Sequence, residues 1–365
     1  MQIVSLFPEG PRQPGYVKAP ASVFHSMDRQ QIVDKFIRIG LITVTAVYLL
    51  ILVGGIVRAS GSGMGCPDWP TCFGRLVPPT SESQLPADYH QRYIGYGDTT
   101  FNVLKTWTEY LNRLLGVSIG ILILTTLIRS IPFRKFAPSV FYLSLTTFLM
   151  VGFQGWLGSR VVASELKPIL ISAHMIVAFV IVSLLILSVC LAARPWLSRQ
   201  NFGSLSPRWR QTLKIAVFMT LIQITMGTQI REAVDGITNA HLISERSVWR
   251  DHFPIIFYVH RSFSSIILFT NLWLVWKLRK STVAGNPMRI PAYGLAGLIL
   301  VAISSGVSLD RLGFPAVVQP LHLLMANLIF GTQFYLLMAS RFAGVADKKI
   351  VQEQLDGEGR FRVPS

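Results

Sequence analysis

Charge is scarce in this sequence. Aspartate, glutamate, lysine and arginine make up 14% of 365 residues, where about a quarter is usual for a soluble globular chain, and 51% of the residues are hydrophobic. That shortage excludes an ordinary soluble enzyme and selects a chain solvated largely by lipid. Acidic residues are scarcer still, 18 against 34 basic ones. In a soluble protein the surplus would suggest nucleic acid, but here much of it gathers in short connectors and tails, where it meets anionic lipid, so no nucleic-acid partner is expected. No cysteine or carboxylate stands beside the paired histidines described below, which deprives a zinc centre of its third and fourth ligands. The glycine-rich stretch from Gly61 ends without Lys-Ser/Thr and follows a membrane helix, which excludes a phosphate loop. The first 35 residues carry no apolar core of the secretory kind and read as a solvated tail.

What the sequence has in abundance is long apolar runs. Eight segments reach the roughly 20 residues that a hydrocarbon core demands, near 36–57, 107–128, 136–157, 169–193, 211–230, 253–276, 292–309 and 319–340. The expected fold class is all-α: a polytopic membrane protein with eight transmembrane helices arranged as two tandem four-helix bundles related by a pseudo-twofold axis. The connectors 129–136, 194–210 and 277–291 hold 11 lysines and arginines in 40 residues, against 10 in 91 for the other four. The bias puts those three connectors and both termini on the cytoplasmic side. The expected divisions are a cytoplasmic tail 1–35, an N-terminal half 36–193, a cytoplasmic linker 194–210, a C-terminal half 211–341 and a cytoplasmic tail 342–365. Trp107 and Trp156 fall near outer span ends, where aromatic anchors belong.

The halves are related by an internal repeat. A shift of 148 residues superposes Tyr110-Leu-Asn-Arg113 on Tyr258-Val-His-Arg261, Gly158 on Gly306, His174 on His322 and Ala178 on Ala326, without a gap. The first spans also rhyme, Gly55-Ile-Val-Arg58 with Gly227-Thr-Gln-Ile-Arg231, at another offset. With four spans per half the repeat is parallel, unlike the inverted repeats of many transporters.

The second and fourth helices of each half start on the outer side, so Asn112, His174, His260 and His322 share one depth, roughly 5–10 Å below the outer interface at 1.5 Å per residue. Histidines on facing helices of a bundle can hold haem iron axially, or can simply pack and hydrogen-bond. Glu109 lies one turn before Asn112, where the second half has Phe257. An intramembrane carboxyl is costly and points to function, although a position one turn inside is also compatible with the interface. Arg58, Arg113, Arg231 and Arg261 lie at the same level and would either neutralise ligand carboxylates such as porphyrin propionates or snorkel to the interface. Cys66 and Cys72, six positions apart in a turn-rich outer loop, can form a disulfide, structural or redox-active.

The run Gly54-Gly-Ile-Val-Arg-Ala-Ser-Gly-Ser-Gly-Met-Gly-Cys-Pro-Asp-Trp-Pro-Thr-Cys72, with Glu109-Tyr-Leu-Asn-Arg113, Ala173-His174-Met175, Val259-His260-Arg261 and Leu321-His322, resembles the haem A synthase family over about residues 36–341. The resemblance implies an oxidoreductase that converts the C8 methyl of haem O to a formyl group, giving haem A for a terminal oxidase. It implies a cofactor haem b held by His260 and His322, and a substrate haem O in the first half with Glu109 and His174. The loop cysteines of that family map onto Cys66 and Cys72. This chain departs from the pattern at Asn112, where a histidine is expected. Asn112 and Arg113 are then expected at the substrate, with His174 on its iron. The expected setting is the bacterial inner membrane, because the N-terminal tail is short and contains acidic residues, with the haem sites towards the outer face as the topology places them. Haem O synthase, an electron acceptor and a second copy of the chain are further expected partners. The main rival is a non-catalytic cytochrome with one bis-histidine haem b. A transporter or haem-handling assembly factor is a third reading, opposed by the parallel repeat.

Overall fold

A computed structural model describes residues 21–93, 100–200, 205–239 and 252–343, with the backbone alone at 21–28, 235, 238 and 239. Among them are eight long helices: α1 (Ala21–Ala59), α2 (Val103–Ser130), α3 (Pro138–Ala163), α4 (Pro168–Ala192), α5 (Pro207–Asn239), α6 (Ile255–Ser281), α7 (Arg289–Arg311) and α8 (Val318–Phe342). Each contains a stretch long and apolar enough to cross a membrane. The described residues contain no β-strand, only an isolated bridge between Cys72 and Arg75. The polytopic all-α class expected from composition is therefore the class observed.

Local chemistry sets the helix ends. Proline opens α3, α4 and α5, at the position where its missing N–H costs nothing and its fixed φ suits the helix. The Asn102 side chain caps α2 by accepting the Lys105 N–H at 3.0 Å. Within the spans, Thr43, Ser144 and Thr147 return their hydroxyls to carbonyls one turn back, which keeps these three donors satisfied in the apolar interior. Among the described residues, two polar contacts between side chains of different helices are buried. Thr43 meets Thr126 at 3.0 Å, and Gln333 donates to Asn271 Oδ1 at 2.9 Å.

Two departures from the sequence reading have physical causes. α1 starts at Ala21, well before residue 36. Its early turns set Ile32 and Val33 against a buried cluster that includes Phe36 and Phe133, whose rings lie 4.9 Å apart, and Arg29 lies over the Phe136 ring at 4.1 Å. Part of the expected tail is thus a packed helix; residues 1–20 and 344–365 of the two tails lie outside the described residues. Of the linker 194–210, the short helix Arg194–Leu197 and Trp209 are packed on the helices: Leu197 and Trp209 are buried, and Trp209 donates its indole N–H to the Leu274 carbonyl at 3.0 Å.

The contact order is the same in both halves. α1 packs on α2 and α4, α2 on α3, and α3 on α4; α5 packs on α6 and α8, α6 on α7, and α7 on α8. Each half is a ring of four helices. Between the rings, α8 is seated against α1 and α4, while α4 and α5 barely touch. The tight side depends on glycine: a methyl group at Gly331 would stand 1.8 Å from the Tyr48 hydroxyl, and one at Gly55 would stand 3.0 Å from Pro320. The loose side holds an apolar cavity of about 350 Å³, bordered by Phe179 and Ser183 of α4, Ile224 and Thr228 of α5, and Phe334 of α8.

Candidate functional site

The four positions matched by the repeat, Asn112, His174, His260 and His322, occupy equivalent settings. On α6, His260 faces Gly227 of α5, where an added methyl would lie 3.5 Å from Cε1. On α2, Asn112 faces Gly54 of α1 in the same way, at 4.0 Å. On α4 and α8, His174 and His322 face Gly158 of α3 and Gly306 of α7, at 3.4 and 3.2 Å. Glycine at the facing position lets a ring or amide lie flat on the neighbouring backbone. The repeat among the first spans is thereby sharpened: Gly54, not Gly55, is the counterpart of Gly227, at the same separation that relates Arg58 to Arg231.

In the second half the two imidazoles come together, with ring centroids 6.4 Å apart. His322 Nδ1 lies 3.0 Å from the Ala302 carbonyl and 2.9 Å from the Ser305 hydroxyl, and His260 Nδ1 lies 3.2 Å from the Gln223 carbonyl. Engagement of Nδ1 by acceptors leaves each Nε2 lone pair available to a metal. Two metal–nitrogen bonds of about 2 Å, with roughly 1.2 Å from each Nε2 to its ring centre, set coaxial imidazole centroids roughly 6.4 Å apart. The donor set therefore fits a flat macrocycle whose iron takes one histidine on each face. Among the described residues no group of three or more His, Cys, Asp or Glu side chains is placed to hold a bare metal ion.

The first half is built differently around Glu109, the one acidic side chain among the described buried residues. Glu109 Oε2 accepts the Cys66 N–H at 2.8 Å, and Oε1 accepts from Arg113 Nε at 3.2 Å and Nη2 at 2.5 Å. Arg113 also donates to the carbonyls of Asp68 (2.6 Å), Thr71 (3.0 Å) and Cys66 (2.7 Å). All five guanidinium N–H groups are thus engaged by Glu109 and the outer loop. Cys66 and Cys72 form a disulfide, and both are fully buried. Asp68 closes the turn between them by accepting the N–H groups of Phe73 (2.6 Å) and Gly74 (2.8 Å) and the Thr71 hydroxyl. Trp107 and Tyr110 of α2 donate to the carbonyls of Pro79 and Leu76 at 3.2 and 2.6 Å. Trp107 is therefore a loop clamp as much as an interfacial anchor.

The corresponding cap of the second half is aromatic. Phe257, in the place of Glu109, joins Phe253 and Phe314 in a buried cluster with Ile230 and Val234. Arg261 is more than half exposed and reaches Asp310 at 3.5 Å, and Arg231 donates to Gln319 Oε1.

The model of the COX15-CtaA family, described as cytochrome oxidase assembly protein, matches residues 38–334. The chain belongs to that family. Among its relatives, proteins named heme A synthase from Shewanella oneidensis and from Exiguobacterium sp. are 27% and 24% identical to it. The first alignment covers 73% of this chain and 85% of the relative, the second 79% and 87%. A heme A synthase from Azorhizobium caulinodans is 27% identical over 60% of this chain and 70% of its own length. The span of the COX15-CtaA match takes in every site residue named above.

Three residues of the site escaped the sequence reading. The Gln223 carbonyl and the Ser305 hydroxyl lie behind the rings of His260 and His322, and the Gln154 side-chain amide donates to the His174 carbonyl at 3.0 Å; no spacing rule singles them out. The sequence did hold one usable signal, since Ser305 precedes the repeat glycine Gly306 where the first half has Leu157 before Gly158.

Proposed function

We propose that this protein is a haem A synthase of the bacterial inner membrane, an oxidoreductase that takes the C8 methyl of haem O through hydroxylated stages to a hydrated aldehyde, which loses water to leave the formyl group. The observation that carries the reading is the asymmetry of two otherwise equivalent sites: a pair of anchored histidines in one, and a buried carboxylate with a single histidine in the other. The relatives' names agree with it.

In this reading His260 and His322 hold a haem b, which supplies electron transfer away from the substrate half. His174 ligates the iron of haem O. Asn112, in the setting that His260 has in the other half, would offer that iron at most a weak ligand. Glu109 accepts protons released as the methyl is oxidised and is kept in place by Arg113 and the Cys66 N–H. Arg113, with every donor committed, serves the substrate through Glu109; Arg58, Arg231 and Arg261 meet propionates from the outer level. Both termini lie in the cytoplasm and the haem sites lie near the outer face. Haem O synthase, an electron acceptor and a second copy of the chain are the partners this function calls for.

The bis-histidine half alone would equally serve a membrane cytochrome, and one measurement separates the two. The full chain is co-expressed with a source of haem O, purified, and its extracted haems are separated by chromatography. Haem O and haem A together are expected. Haem b alone would establish the cytochrome, and a colourless protein would overturn both.

A further inference from the structure

The histidines of α4 and α8 lie in one pose. A methyl at Gly158 would stand 3.4 Å from His174 Cε1 and 3.8 Å from Nδ1; at Gly306 the distances to His322 are 3.2 and 3.7 Å. What lies behind the two rings differs. The Ser305 hydroxyl donates to the Ala302 carbonyl at 2.8 Å, so its oxygen is left to accept from His322 Nδ1, which the same carbonyl also approaches. The positions 148 residues earlier are Leu157 and Gln154. Leu157 is buried and has no group to offer. Gln154 turns its NH₂ to the His174 backbone carbonyl at 3.0 Å. His174 Nδ1 and Gln154 Oε1 are both buried without a hydrogen-bond partner. On the second helices the contrast repeats, since the Gln223 carbonyl meets His260 Nδ1 whereas the Asn112 Oδ1 is buried and unpartnered.

An acceptor on Nδ1 orients a ligating imidazole and makes it a stronger donor, and loss of such a partner weakens metal affinity about 10–100-fold. We propose that Ser305 is a positioning residue that makes His322 a permanent ligand, and that Leu157 is the counterpart that leaves His174 exchangeable. The groups behind the histidines then decide which half retains its haem as cofactor and which releases it as product. The count of histidines adds to this effect, since Asn112 removes one ligand from the half that must let go. The inference rests on the proposed function in that both halves take haem.

The test uses the purified full-length protein carrying both haems, challenged with excess apomyoglobin, with the midpoint potential of the low-spin haem measured in parallel. Ser305→Ala leaves the Ala302 carbonyl near His322 Nδ1 but removes the hydroxyl acceptor. It is expected to keep the low-spin spectrum, to lose that haem several-fold faster, up to about 10-fold, and to raise its potential, because a weaker donor stabilises ferric iron less. Ser305→Thr restores the acceptor and returns both readings towards the parent values. Leu157→Ser supplies His174 with an acceptor and is expected to slow haem loss from the first half several-fold. Should Leu157→Ser fail to fold, the Ser305 pair decides alone. Parent-like loss rates and potential in Ser305→Ala, or no slowing in a folded Leu157→Ser, would overturn the inference while leaving the proposed function standing. Protein that takes up no haem would overturn the proposed function, and the inference with it.

Discussion

Glu109 and Arg113 form an ion pair that is nearly dry, and the cost of burying it is offset because every donor and both carboxylate oxygens have partners. Glu109→Gln keeps an oxygen for the Cys66 N–H but gives up the proton-accepting charge. Haem content should stay at the parent level while haem A formation falls by on the order of 100-fold or more, read by chromatography of extracted haems. Arg113→Ala strands the carboxylate in a buried site and should lower stability by roughly 3–5 kcal/mol, seen as an earlier thermal transition. Arg113→Lys should rescue little of it, since an ammonium offers three donors where five are used. At Asn112 the neighbouring Gly54 leaves the same kind of space that Gly227 gives His260. Asn112→His should therefore add a second axial ligand to the first-half haem. The expected outcome is a low-spin spectrum for both haems, slower release of the first and reduced turnover; a first-half haem that stays high-spin would count against facing ligands there.

At the level of elements, the loop that follows α1 is gripped by α2. Thr106, Trp107, Glu109, Tyr110 and Arg113 line the grip of α2 on residues 66–79, and Gly65 lets the loop backbone press on the first turns of that helix. A methyl at Gly65 would meet the Lys105 carbonyl oxygen at 2.4 Å, a backbone atom that cannot turn aside. Gly65→Ala should cost about 1–3 kcal/mol and loosen the Cys66 N–H from Glu109. Replacing Cys66 and Cys72 together by serine should cost roughly 2 kcal/mol, as expected for a short closed loop. In both variants haem A formation should drop while the spectrum of the haem on His260 and His322 is kept, because the loop's clamping contacts fall on α2. Loss of that second spectrum would show that the loop supports both halves.

For the whole molecule, the two rings are joined unevenly. α8 is inserted against α1 and α4, and its Gly331 accepts the Tyr48 ring of α1 at a distance no side chain could share. Gly331→Ala should separate the halves on this side and lower the melting temperature, and Tyr48→Phe in the same chain should recover part of the loss by removing the clashing hydroxyl. A melt unchanged by Gly331→Ala would mean that the halves are held elsewhere. The loose seam between α4 and α5 explains why the sequence repeat does not by itself predict the packing of the halves. Equivalent helices on the two seams carry different residues, with glycines and Pro320 on one side and Phe179, Ile224 and Phe334 bordering a cavity on the other.

Much of this protein is written in the chain at short range. Apolar length fixes the eight helices, because a bilayer leaves no alternative for a run of that kind, and the repeat singles out Asn112, His174, His260 and His322 together with Glu109 against Phe257. Family membership could also be read from the Gly54–Cys72 run. The early start of α1 is not legible in the sequence because Ile32 and Val33 pack on a cluster completed by Phe133, Val140 and Ala192, which lie far along the sequence. Tertiary structure alone decided the rest: that Arg113 is spent on the loop, that His260 and His322 stand 6.4 Å apart, and that acceptors lie behind these two rings but not behind His174. Those facts depend on carbonyls, hydroxyls and glycine surfaces of neighbouring helices. Periodicity records which face a residue occupies, but it carries no information about the backbone atom that the folded chain sets behind it.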